Sequence, residues 1–190
     1  MPLFDYPTAS EITDDTGLRP EQVNTKYTSA DLEADITQKI EEAATVVEGR
    51  ILAATSPEPF PFSEDDLTLA LPKYSIAARD ERLQGQQLRA RQATKWLAMS
   101  YLYDRSGQLS KAYEGKSEEY EANAERTLTG KDDGSGTEGL LGELRAMAAF
   151  ITEGLPENGN PVALVSFIPA IEQQAPHYDE FGAPFEVFYG

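Results

Sequence analysis

Cysteine is absent from the 190-residue chain, which excludes disulfides, thiolate metal sites and cysteine nucleophiles. Histidine occurs once, as His177, so a multi-histidine metal centre has no ligands and a histidine-based triad has one candidate. No apolar run approaches the roughly 20 residues that a membrane helix requires. The start, MPLFDYPTAS, lacks a basic stretch followed by an apolar one and gives no sign of a signal peptide. Cations are few: 16 Lys and Arg stand against 33 Asp and Glu, for a net charge of −17. A surface of that sign has little with which to displace counterions from phosphate, which argues against nonspecific nucleic-acid binding and against a basic membrane-surface helix. Phosphate loops, paired-glycine fingerprints and nucleophile elbows are missing too. The expectation is a soluble protein that is not an enzyme and carries no cofactor.

Carboxylate is what the chain has in excess, with 21 Glu against 7 Lys. Such a chain repels itself in dilute buffer, and about 1 M salt shortens the Debye length to about 3 Å and removes most of that cost. The composition therefore points to a halophilic source, the alternative being a merely acidic cytoplasmic protein. The length fits one domain with functional arms, and an apolar share of 40% is enough for a core.

Apolar periodicity divides the chain into three parts. Residues 1–28 hold Pro2, Pro7, Pro20 and Gly17 and read as a loop-rich leading segment with a short helix near Ser10–Thr16, anchored by Phe4 and Tyr6. Residues 29–154 read as a bundle of about four helices. The first runs from about Ser29, as N-cap, to Ala54, with Asp31 and Glu33 supporting its first turn. Its Leu32, Ile36, Ile40, Ala43, Val47 and Ile51 share one stripe. SPEPFPF then ends it. The stretch from Ser63 to Gln84 is ambiguous, because Leu67, Leu69 and Leu71 alternate as in a short strand. A second helix, about Gln86–Arg105, is apolar on two sides and is expected to be central. Leu88, Gln92, Trp96, Met99 and Tyr103 lie on one side; Ala90, Ala93, Leu97 and Tyr101 lie nearly opposite. A third, about Gln108–Leu128, sets Tyr120 and Ala124 against a row of Glu114, Glu118, Glu119, Glu121 and Glu125. A fourth, about Thr137–Thr152, gathers Leu140, Leu141, Leu144, Met147, Ala148 and Ile151.

Residues 155–190 differ in kind: they hold five of the twelve prolines and six of the eighteen aromatics, and no Lys or Arg follows Arg145. Proline at that density forbids a long helix, while so many aromatics are atypical of disordered chain. An extended arm that buries its side chains on another surface satisfies both constraints, and PVALVSFI could add to a sheet edge.

Candidate chemistry is sparse. His177 in QAPHYDE has no supporting ligands at helical spacing, so a structural role is expected. In KDDGSGTEG, Asp132 and Asp133 are adjacent rather than alternating and no glutamate closes a calcium loop; a solvated turn is expected. One charge reversal remains: Arg79, Arg82, Arg89, Arg91 and Lys95 face only Asp80 and Glu81 within residues 79–95. The expectation is that these cations pair with the glutamate faces of the first and third helices, the alternative being an electropositive edge that meets an acidic partner or passing DNA.

The run SADLEADITQKIEEAATVVEGRIL, followed by a helix ending in WLAMSYLYDR, resembles the head–tail connector adaptor proteins of long-tailed phages and archaeal tailed viruses over about residues 10–128. The resemblance implies a mainly α, small helical bundle that assembles under the portal as a ring, a dodecamer in that family. The ring extends the DNA channel at the virion neck, with a stopper or tail protein on its other side. DNA passes through without specific binding, and no membrane is involved. On this reading Phe167, Ile168, Tyr178, Phe181, Phe185, Phe188 and Tyr189 of the arm bind the portal or a neighbouring subunit. Ala90, Leu97 and Tyr101 pack between subunits. The alternatives are a cellular helical interaction module from a halophile and another neck or tail-completion protein.

Overall fold

Three short sequence signatures start helices in this chain. In each of Thr8–Glu11, Thr28–Asp31 and Ser63–Asp66, a hydroxyl accepts the backbone N–H three residues on, and that residue's carboxylate accepts the first residue's N–H. Such a reciprocal pair satisfies two of the donors that a helix N-terminus leaves orphaned. The computed structural model describes residues 2–71, 74–107, 115–130 and 139–153, and these contain seven helices and no strand. They are α1 (Ala9–Thr16), α2 (Pro20–Val23), α3 (Ser29–Thr55), α4 (Glu64–Ala70), α5 (Ile76–Gly107), α6 (Lys116–Thr129) and α7 (Leu140–Glu153). The protein is mainly α, a small helical bundle whose long members are α3, α5, α6 and α7.

The caps refine the sequence reading. Thr28, not Ser29, caps α3, because its side chain reaches Asp31 N–H and Ser29 already lies inside the helix. The ambiguous leucines belong to a helix, α4. Leu67, Ala70 and Leu71 are buried while Leu69 is 58% exposed, a spacing of three and four rather than two. Ser63 with Asp66 was the available signal for it. The leading segment carries α2 as well as α1, and α1 ends where Gly17 turns left-handed at φ 59°. The helix expected from Gln86 begins ten residues earlier, where the Ser75 hydroxyl accepts Ala78 N–H at 3.3 Å.

Packing is centred on α5, which meets α3, α6 and α7, while α7 also lies against α3 and α4. One core cluster joins Ile12, Leu18 and Val23 of the leading segment to Ile36 and Ile40 of α3 and to Ala98, Met99 and Leu102 of α5. Leu140, Leu144 and Met147 of α7 are also buried. The two-sided reading of α5 holds only in its C-terminal half. From Ala98 to Tyr103 every residue but Tyr101 is buried, whereas Leu88 is 62% exposed. The N-terminal half is covered on one side only. All described residues belong to one unit, Met1–Gly154.

Candidate functional site

The cations of residues 79–95 occupy the part of α5 that is open on one side, and the structure gives each a partner. Glu143 of α7, 7% exposed, gathers two of them. Its Oε1 accepts from Arg82 Nε at 2.7 Å and from Gln86 Nε2 at 2.9 Å, and its Oε2 accepts from Arg89 Nη2. Burial pushes the Glu143 carboxyl up, but Arg89, Arg82 and the hydrogen bonds outweigh it and hold the group below the usual carboxylate range. Gln86 is fully buried, and its second amide hydrogen is directed at Met147 Sδ, 3.1 Å away. Arg82 also lies over the Tyr74 ring, 5.9 Å from its centroid.

The other cations turn to different elements. Arg91 Nη2 donates to both Glu11 oxygens, at 2.8 and 2.7 Å, and Lys95 Nζ lies 2.5 Å from Asp15 Oδ2. Both carboxylates are on α1, so this pair clasps the leading segment to α5. Glu11 also accepts its own cap hydrogen bond from Thr8, and that bond first, then Arg91, lowers its pKa to about 2. Arg79 instead donates to the Leu71 carbonyl at 3.2 Å and to Thr68 Oγ1 at 2.5 Å, holding α4 at the start of α5.

These pairings correct the expected ones. The cations engage α1, α4 and α7, not the glutamate faces of α3 and α6. The α6 row, Glu118, Glu119, Glu121 and Glu125, is exposed; Glu125 is bound by Arg50 Nη1 and Nη2 of α3 at 2.6 and 2.8 Å, and Glu119 pairs with Lys116 of its own helix at 3.1 Å. No sequence signal linked Glu143 to Arg82 and Arg89, which lie 61 and 54 residues away.

The residues expected between subunits fare differently from one another. Ala90 has no exposed surface, so it is spent inside its own bundle and has nothing to offer a neighbour. Leu97 and Tyr101 are half-buried beside the core cluster. Burial, with Glu121 and Glu42 close by, raises the Tyr101 hydroxyl. Trp96 stacks on Tyr120, with centroids 5.5 Å apart, and Tyr103 lies against the same ring at 5.3 Å. The arm residues Phe167, Ile168, Tyr178, Phe181, Phe185, Phe188 and Tyr189, and His177 with them, lie outside the described residues, as does most of KDDGSGTEG. No cluster of three or more carboxylates or histidines able to hold a metal ion occurs among the described residues, and no described helix is long and apolar enough to cross a membrane.

No protein-family model, curated protein or solved structure matches the chain.

Proposed function

We propose that this chain is a structural virion protein, an adaptor that joins a phage or archaeal-virus portal to its stopper or tail as a ring around the DNA channel. The observation that carries this reading is the order of the bundle. A long amphipathic α3 is followed by the proline break 57–61, a central α5 ending in WLAMSYLYDR, and an α6 whose carboxylates are exposed. That is the order the sequence resemblance calls for. Exposed carboxylates repel phosphate, so a channel lined with them lets DNA pass without adhering. The internal use of Arg82, Arg89, Arg91 and Lys95 supports the same view, since cations tied to Glu143, Glu11 and Asp15 are less free to hold DNA.

The arm of residues 155–190 is the proposed contact to the portal or to a neighbouring subunit, with its phenylalanines as anchors. Ordering a chain segment costs about 1–2 kcal/mol of backbone entropy per residue, and burying a large apolar side chain returns roughly 1.5–3 kcal/mol. Such an arm gains most on a partner surface.

The deciding experiment is light scattering and negative-stain imaging of the full chain in about 2 M salt, alone and with the portal of the same source. A ring, or recruitment onto the portal, supports the adaptor. A monomer indifferent to the portal favours a cellular interaction module instead.

A further inference from the structure

We infer that a single water molecule is bound where α3, α5 and α7 meet, held between the Thr55 hydroxyl and the Gln86 amide oxygen. The inference stands apart from the adaptor reading and holds whatever the chain does. Thr55 and Gln86 have no exposed surface, and neither Thr55 Oγ1 nor Gln86 Oε1 has a hydrogen-bond partner among the described residues. Thr55 is an exception among its kind. Every other threonine inside a described helix donates its hydroxyl to the carbonyl four residues back, fully buried Thr94 among them. The Gln86 nitrogen donates to Glu143 Oε1 at 2.9 Å and lies 3.1 Å from Met147 Sδ, so turning the amide over would lose the Glu143 bond. A buried hydroxyl or amide oxygen left dry is costly, and folded chains satisfy such groups with ordered water.

Helix register brings the two groups to one level. In the α5–α6 hairpin the Ser100 and Ser117 hydroxyls lie 3.1 Å apart, and carrying that pairing along both helices sets Glu125 beside Gln92. Arg50 of α3 binds Glu125 at 2.6 and 2.8 Å. Ile36 and Ile40 of α3 share a core cluster with Met99 and Leu102 of α5, so these two helices are antiparallel. Thr55 lies five residues beyond Arg50, and Gln86 six before Gln92, about 7.5 and 9 Å along their axes. From the third side, α7 reaches both ends of this level. Its Glu143 and Met147 meet Gln86, and its Thr152 hydroxyl donates at 3.1 Å to Glu58, whose N–H donates at 2.8 Å to the Thr55 carbonyl. Small side chains make room, Ala54 next to Thr55 and Ala90 one turn on from Gln86. Glu143 is already matched by Arg82 and Arg89, so the site calls for a neutral group that both donates and accepts. Water does this: its oxygen accepts the Thr55 O–H, and one hydrogen goes to Gln86 Oε1. The other is left for Met147 Sδ, a weak acceptor.

A crystal structure of the full chain, at a resolution that shows ordered solvent, should place one isolated water within hydrogen-bonding distance of Thr55 Oγ1 and Gln86 Oε1. Thr55 Oγ1 on the Ile51 carbonyl, a direct bond between the two side chains, or no density between them would overturn the inference. Stability gives a second readout through its sign. A hydroxyl that holds the water makes Thr55→Val lower the melting temperature by about 2–4 °C. A dry hydroxyl predicts the reverse, because the methyl group removes an unsatisfied buried donor. A melting temperature unchanged or raised by Thr55→Val therefore counts against the water. Gln86→Leu, alone and combined with Thr55→Val, separates a shared water from two independent sites. The double variant should lose less than the sum of the single losses, and strict additivity would sink the shared site.

Discussion

Glu143 Oε1 of α7 lies 2.9 Å from the amide nitrogen of Gln86 on α5, in a contact where Gln86 has no exposure at all. Arg82 and Arg89 close round the same carboxylate from the solvent side, 16% and 39% exposed. One side chain thus satisfies three donors of the neighbouring helix. Removing it would leave three donors of α5 without their acceptor, which is costlier than the pairing is worth.

Replacing Glu143 by Ala should accordingly cost about 2–4 kcal/mol in urea unfolding followed by circular dichroism, toward the low side of what breaking a buried pair costs because Arg89 can rehydrate. Glu143→Gln should lose less, since its amide oxygen still accepts one bond. Equal losses for the two variants would mean that the carboxylate's charge and second oxygen contribute nothing.

Acid should detach α1 before it unfolds the bundle. The Glu11 pKa is lowered to about 2 in the folded chain, below its usual value near 4.5. A depressed carboxyl contributes stability that is fully present above about pH 4.5 and is lost as pH falls towards 2. Glu143 works in the same direction. Hydrogen exchange of the α1 amides should rise across that window, and Glu11→Gln should remove the pH dependence from α1 while leaving α3 protected. A flat α1 profile in the parent protein contradicts the clasp.

The cap at Thr28 begins the longest stripe of the core. Thr28→Ala removes the acceptor of Asp31 N–H and should cost about 1 kcal/mol. Thr28→Ser should restore most of that loss in the same unfolding measurement.

Gly139 is set by crowding rather than by a turn. A Cβ there would overlap the backbone of Leu128, Thr129 and Gly130, at the place where the chain enters α7 beside the end of α6. Gly139→Ala should lower the melting temperature by several degrees, a larger effect than Gly49→Ala, whose Cβ meets open space. If the two substitutions have equal effects, that close approach is not part of the folded protein.

With a net charge of −17, unfolding in dilute buffer and recovery in molar salt are expected, because screening relieves repulsion among carboxylates. The salt dependence should survive the loss of any one surface pair, such as Arg50–Glu125, whose partners are 35% and 53% exposed and which contributes about 0–1 kcal/mol. Stability that is indifferent to salt would remove the halophilic reading.

The sequence by itself determined the helices whose apolar residues recur at three and four. The stripe of α3 from Leu32 to Ala54 and the cluster of α7 from Leu140 to Ala148 follow from local periodicity, and the structure buries them as expected. The glutamate row of α6 was legible as the face away from Tyr120 and Ala124, although the cations expected to pair with it are bound by Glu143, Glu11 and Asp15 instead. What only the tertiary structure decided was which charges meet and which apolar residues face outward. Glu143 was one carboxylate among 33 acidic residues until folding brought α7 against α5. Ala90 and Leu88 both read as apolar positions of α5, yet one is fully buried and the other 62% exposed. The reason is physical: periodicity assigns residues to faces of a single helix, whereas the cover over each face comes from elements distant in sequence, and pairing energies act only after those elements have packed.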